Sequence, residues 1–184
     1  MDGVLASTND GPAFASLEIA ATGLRLPNLL DSQGAKAADL YPNEAAALVA
    51  FDILIGNGDR GRNLKASLTT PHIKIFKAFD HSECLLNIED DPKDSLKRLA
   101  DATDLVAQAH PFYGHVRNSL LNDWATRISG LDDVYIQECC SMGKTFRAVT
   151  VDMQQDTAAA LIKRKNALPA IITKHFGTIK PCLL

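Results

Sequence analysis

The chain has 184 residues, 46% of them hydrophobic and 22% charged, with a formal charge of -3. That length fits one domain with a sizeable core, and that charge gives no general attraction to nucleic acid or to a membrane surface. No apolar run approaches the roughly 20 residues that span a bilayer. The opening MDGVLASTNDGP lacks the basic start and apolar centre of a signal peptide, so a cytoplasmic location is expected.

Residues 11–21, GPAFASLEIAA, read as a strand with Phe14 and Leu17 among small residues. Residues 22–41 hold Gly23, Pro27 and Gly34 among scattered polar groups and read as an irregular connection. A helix is predicted from Pro42, a residue suited to the first turn, to a stop at Gly56, with Glu44 near its positive end. Spacings of 3, 4 and 7 place Leu48, Phe51, Asp52 and Ile55 on one stripe. A carboxylate inside an apolar face is expensive unless hydrogen-bonded, so Asp52 is expected to brace the loop that follows.

That loop, 56-GNGDRGRN-63, precedes two short apolar stretches, 64–68 and 73–79, separated by the turn signal Thr69-Thr70-Pro71. They read as a β-hairpin. Its topology brings Asp59 and Asn63, ahead of the first strand, to the same end as Asp80, which closes the second. Singly, such residues are ordinary turn formers that bond their own backbone.

Beyond residue 90 the pattern is helical: 91–108, broken by HPFYG at 110–114, then 116–128, 132–142, 152–168 and 169–176, with Pro169 opening the last. Leu120, Leu121, Trp124 and Ile128 share one face, and 163-KRKN-166 reads as a solvated helix end. This half is expected to form a bundle behind the loop and hairpin. His110 and His115 read as loop histidines, and His72 and His175 as solvated element ends. Cys84, Cys139, Cys140 and Cys182 have no metal-ligand spacing, and Met142 reads as core filler.

Phosphoryl transfer from ATP needs an aligned hydroxyl, magnesium on the phosphates and compensation of charge. Magnesium takes hard oxygen ligands, often one or two carboxylates with phosphates and water. Asp59, Asn63 and Asp80 supply such a set in chain order. GNGDRGRN followed by FKAFDHSE resembles the catalytic and metal loops of the HipA-like kinases, relatives of the phosphoinositide kinases, whose pattern is N-x-D-R-H-x-x-N and then a hairpin ending I-D-H-G. FDILIGN resembles their F-D-x-x-I-A-N helix end, and GPAFAS a strand found before it; the likeness is concentrated in residues 48–86.

The resemblance implies a catalytic Asp59 and magnesium ligands Asn63 and Asp80. It also implies cofactor-side roles for Asn57, which would fix the loop backbone, for Arg60, which could meet a phosphate or a carboxylate such as Asp52, and for His81 beside the metal acid. Three positions depart from the pattern. The loop is D-x-x-x-N, one residue short; Gly61 replaces the usual histidine; Ser82 replaces the usual glycine. Lys36 is the only lysine ahead of the catalytic helix, and no Gly-rich phosphate loop is visible.

The expected fold is a single domain over 1–184, mainly α with a small β-hairpin (α+β). It would be a kinase-like C-lobe with its N-lobe largely absent: a residual strand and connection over 1–41, the catalytic helix, loop and hairpin over 42–86, and a helical bundle over 87–184. The resemblance implies a Ser/Thr kinase using magnesium and ATP on a protein substrate, either truncated or served by a separate N-lobe chain. The alternative is an inactive pseudokinase or interaction module that regulates a protein partner. Lipid or small-molecule phosphorylation ranks behind both. Neither nucleic acid nor membrane is an expected partner.

Overall fold

The computed structural model describes residues 3–8, 11–16, 26–69, 74–85, 91–106, 109–146 and 148–179, with side chains from residue 26 onward. Its helices are α1 (Gly34–Leu40), α2 (Pro42–Ile55), α3 (Pro92–Asp101), α4 (Asn118–Ser129), α5 (Asp133–Cys140), α6 (Val151–Lys174) and α7 (Phe176–Ile179). Two antiparallel ribbons accompany them, β1 (Gly3–Thr8) with β2 (Gly11–Ser16) and β3 (Leu64–Ala66) with β4 (Phe76–Ala78). The chain is thus mainly α with small antiparallel ribbons, as its pattern implies. Residues 17–21 of the expected strand, Thr70 and Pro71 of the expected turn, His72 and Cys182 lie outside the described residues.

Helix α2 begins and ends where its punctuation says it must. Pro42 occupies the first turn, and Gly56 takes the left-handed conformation (φ 62°) that ends the helix, its N–H returning to the Asp52 carbonyl. The helix is buried on nearly every side, from Ala45 to Ile55, so its stripe is wider than the spacing suggests. Phe51, expected on the buried stripe, is 41% exposed instead. The hairpin enters the same core: Leu64 is wholly buried, and Phe76 stacks on Phe112 with ring centres 5.7 Å apart.

The connection expected over 22–41 contains helix α1, which starts at Gly34. A side chain there would meet the Pro111 carbonyl oxygen at 1.9 Å, so only glycine lets this helix approach the 110–114 turn. Helix α3 stops at Asp101 rather than continuing to 108. Beyond it Thr103 and Asp104 are drawn to the end of α6, where Lys174 Nζ reaches Thr103 Oγ1 at 3.0 Å and Asp104 Oδ1 at 2.7 Å.

Helix α6 departs most from expectation. It runs unbroken through Pro169, where two helices were predicted. Proline in a helix interior costs about 3 kcal/mol; here Pro169 is exposed while Leu168, Ile171 and Ile172 beside it are buried, and their burial offsets the lost bond. The KRKN run is likewise not a solvated end. Arg164 and Lys165 lie in mid-helix at 1% and 4% exposure. Arg164 donates to the carbonyls of Ile53, Leu99 and Ala102, and Lys165 to those of Ser129 and Leu131 and to Asp133. Each cation thereby satisfies carbonyls that helix C-termini leave without partners. Met142, expected in the core, is 38% exposed.

Replacing Arg164 with leucine should lower unfolding free energy by about 3–5 kcal/mol, because three buried carbonyls lose charged donors at once. Urea melts should show a lower midpoint at unchanged slope; an unchanged midpoint would remove Arg164 from this role.

Candidate active site

Asp52 lies on the last turns of α2 and is 3% exposed, and Arg60 on the loop beyond is fully buried. Arg60 Nε meets Asp52 Oδ2 at 2.7 Å and Nη2 meets Oδ1 at 2.8 Å, a bidentate pair. The remaining Arg60 donors are also engaged. Nη1 serves the carbonyls of Asn63 (3.1 Å) and Phe79 (2.9 Å), and Nη2 donates to His81 Nδ1 at 3.0 Å. A guanidinium has five N–H groups, and all five are used.

The Asp52 carboxylate is as fully occupied. Asn57 Nδ2 donates to Oδ1 at 3.1 Å and His110 Nε2 to Oδ2 at 3.1 Å, completing four hydrogen bonds with the two from Arg60. Asn57 also turns the loop, its Oδ1 accepting from the Asp59 N–H at 3.1 Å. Two backbone bonds tie the loop to the segment after β4: Gly58 N–H to the Glu83 carbonyl (3.2 Å) and Leu85 N–H to the Ile55 carbonyl (2.7 Å).

Asp52 therefore braces the loop, as its place on α2 suggests. Arg60 takes the carboxylate rather than a phosphate. Asn57 fixes the loop backbone and Arg60 meets the Asp52 carboxylate, the supporting contacts expected of them; both side chains are buried. His110 was not anticipated. It is 58 residues from Asp52 in the chain and lies in an irregular turn, so no periodicity could point to it; its neighbours Pro111 and Phe112 in HPFYG are the only local hint of a packed turn.

The exposed side of the loop carries the predicted trio. Asn63 Nδ2 donates to the Asp59 carbonyl at 3.0 Å and to Asp59 Oδ2 at 3.3 Å. The Asn63 carbonyl accepts from the Phe79 N–H at 3.0 Å, which extends the hairpin ladder by one pair and sets Asp80 immediately beyond. Asp59, Asn63 and Asp80 thus stand at one end of the ribbon. Asp80 has φ 50°, a left-handed conformation uncommon outside glycine. Its Oδ1 accepts from Ser82 Oγ (2.8 Å) and Ser82 N–H (3.2 Å). These bonds from Ser82 hold its carboxyl below the usual range. His81, half-buried, packs edge-on to Phe51, with ring centres 6.0 Å apart.

Two carboxylates and an amide oxygen are donors of the hard kind magnesium prefers, so the trio fits that ion in chemistry. Among the described residues no group of three or more His, Cys, Asp or Glu side chains forms a metal cluster. A groove of about 860 Å³ lies between α5 and α6, and none of its lining residues belongs to the loop or hairpin.

Burial pushes the Asp52 carboxyl up, but hydrogen bonds from Arg60 and His110, with the Arg60 charge, outweigh it and leave it below the usual range. Burial, helped by the neighbouring Arg60 charge, pushes the His110 imidazole down despite Asp52. His110 is accordingly neutral, donating from Nε2 and accepting the Phe112 N–H at Nδ1 (3.2 Å). A histidine depressed by folding contributes stability that is complete above about pH 6.5, the unfolded value, and is lost as pH falls below it. The Asp52 contribution is lost only at lower pH, as the pH falls through its own depressed value.

The melting temperature should therefore drop between about pH 7 and pH 5, and less steeply in His110→Gln, which keeps a donor toward Asp52 but cannot be protonated. Equal slopes in the two proteins would separate His110 from the acid response. Asp52→Asn should cost about 3–5 kcal/mol in a denaturant melt, since it strands the buried Arg60 charge. No family model matches this chain, and neither a curated protein nor a solved structure does.

Proposed function

We propose that the loop and hairpin form the catalytic end of a HipA-like, magnesium-dependent phosphotransferase that moves phosphate from ATP to a protein Ser or Thr hydroxyl. One observation carries the reading: Asp59, Asn63 and Asp80 share one end of the β3–β4 ribbon, above a buried support built on Arg60. Asp59 is the group that orients the hydroxyl and takes its proton. Asn63 steadies it, since the Asn63 amide nitrogen is directed at the Asp59 carbonyl and Oδ2. With that nitrogen so engaged, the Asn63 amide oxygen and the Asp80 carboxylate are the atoms that would hold magnesium. Bound there, the ion would neutralise phosphate charge.

A second reading is favoured by one specific feature: the loop is one residue short of the family pattern. An inactive pseudokinase or interaction module would tolerate that.

Magnesium with ATP should raise the melting temperature, the stabilisation reaching about 2.7 kcal/mol at 100 times the dissociation constant. Asp80→Asn, which keeps a residue tolerant of the left-handed backbone, should abolish the magnesium-dependent part of the shift. Asp59→Asn should cut phosphate transfer about 10²–10⁴-fold with nucleotide binding retained. Absence of any nucleotide-induced shift in the wild-type chain would favour the interaction module.

A further inference from the structure

Helix α5 lies antiparallel to α6 and is tied to it at both of its ends. At the start of α5, Asp133 meets Lys165 Nζ at 2.8 Å. Just past its end the buried Gln154 holds the turn: Oε1 accepts the Met142 N–H at 2.7 Å, and Nε2 donates to the Lys144 carbonyl at 2.8 Å. Between these ties α5 buries only Ile136, so the helices part and leave the groove of about 860 Å³. Two stripes line it. Val151, Gln155, Ala159, Ile162 and Asn166 follow one another at spacings of 4, 4, 3 and 4 on α6, and Asp133, Gln137 and Ser141 at spacings of 4 along α5 and its cap. Among the described residues the side-chain amides of Gln137, Gln155 and Asn166 have no hydrogen-bond partner. The charged lining residues are paired, Lys163 with Asp101 and Asp133 with Lys165. The groove is therefore electrically neutral, and it presents open donors and acceptors.

We infer that this groove binds an extended segment of another protein that carries no net charge. Shape decides against a helix. From Gln155 to Asn166 α6 rises about 16 Å, so a volume of about 860 Å³ corresponds to a cross-section of about 50 Å². An extended strand, allotted about 4.8 Å by 10 Å where strands and sheets pack, fills about 48 Å². A helix about 10 Å across needs about 80 Å². Hydrogen bonding agrees. A helix satisfies its own backbone, while an extended segment arrives with N–H and C=O groups that need partners. A primary amide offers both a donor and an acceptor, and Gln155 and Asn166 meet backbone groups about five residues apart. The site is separate from the proposed phosphotransfer end, since no lining residue belongs to the loop or hairpin, and it serves an interaction module equally.

The test selects random heptapeptides displayed on phage against the whole chain. Enriched sequences are then made as synthetic peptides, acetylated and amidated at their ends, and titrated by calorimetry. The wild-type protein should bind peptides without net charge and with no gain in helical circular dichroism. Methylating the backbone nitrogens one at a time should weaken binding about tenfold at one or more positions. Gln137→Ala, Gln155→Ala and Asn166→Ala, all at exposed positions, should each weaken it about three- to tenfold at an unchanged melting temperature. Ala159→Phe, also at an exposed position, should abolish binding by filling the groove. Failure to enrich any heptapeptide, or affinity unchanged within about twofold in Ala159→Phe, would overturn the inference. So would a gain of helical signal on binding, the mark of a helical occupant, or indifference to every N-methyl group, which leaves recognition to side chains alone.

Discussion

The described structure around the loop depends on one ion pair. Asp52 and Arg60 bury a carboxylate and a guanidinium at 3% and 0% exposure, where either alone would be strongly unfavourable. What makes the arrangement tenable is completeness: four hydrogen bonds on the carboxylate and five on the guanidinium. Each bond recruits a different part of the chain. Asn57 belongs to the loop, His110 to a distant turn, and the Asn63 and Phe79 carbonyls to the two strands where the hairpin opens. One salt bridge thereby fixes how α2, the loop, the ribbon and the 110–114 turn meet.

The bundle uses the same principle a second time, with helix carbonyls in place of a carboxylate. Short helices leave their last carbonyls unsatisfied, and α2, α3 and α4 all end near the middle of α6. Arg164 closes the ends of α2 and α3, and Lys165 the end of α4. Since Arg164 grips the Ile53 carbonyl one residue after Asp52, the two polar centres share the last turns of α2. Helix α6 is therefore a spine as well as a packing surface, and its continuity through Pro169 follows from what it must reach on both sides.

Local signals in the sequence reached as far as local physics allows. Pro42 and Gly56 bounded α2 because their backbone constraints act within one residue. Asp52 was legible as a brace because a carboxylate in an apolar stripe demands partners nearby, and Asn57 and Arg60 lay within reach. The hairpin followed from two short apolar stretches, though its register did not. Arg164 and Lys165 were misread, and the partner of the loop residue His110 was missed, for one shared reason: a polar side chain in a loop or a basic run is by default solvated, and only contacts 34 to 111 residues away say otherwise. Pro169 was misread because proline's cost is local while the burial that outweighs it is tertiary. Phe51 faces out because α2 is enclosed on its other sides and this position lies beside His81 at the rim of the loop.

Ordinary turns satisfy themselves. Asp80 with Ser82 and Asn57 with the Asp59 N–H are bonds of that kind, and they would suffice if the loop only had to reverse direction. The Asp52–Arg60 network goes further. Its Coulomb gain and desolvation cost largely cancel, so a well-packed apolar core would have held the same turn without it. What a saturated polar network supplies is a single conformation, since any shift of the loop breaks several bonds at once. The residues whose positions it fixes are Asn63, through its carbonyl, and Phe79, the neighbour of Asp80. Both lead to the exposed side of the loop, where two carboxylates and an amide stand together without a buried partner of their own. A rigid base under two exposed carboxylates and a neighbouring amide suits a catalytic site, with geometry fixed before any ligand arrives, and it is the physical ground on which the proposed phosphotransfer reading rests.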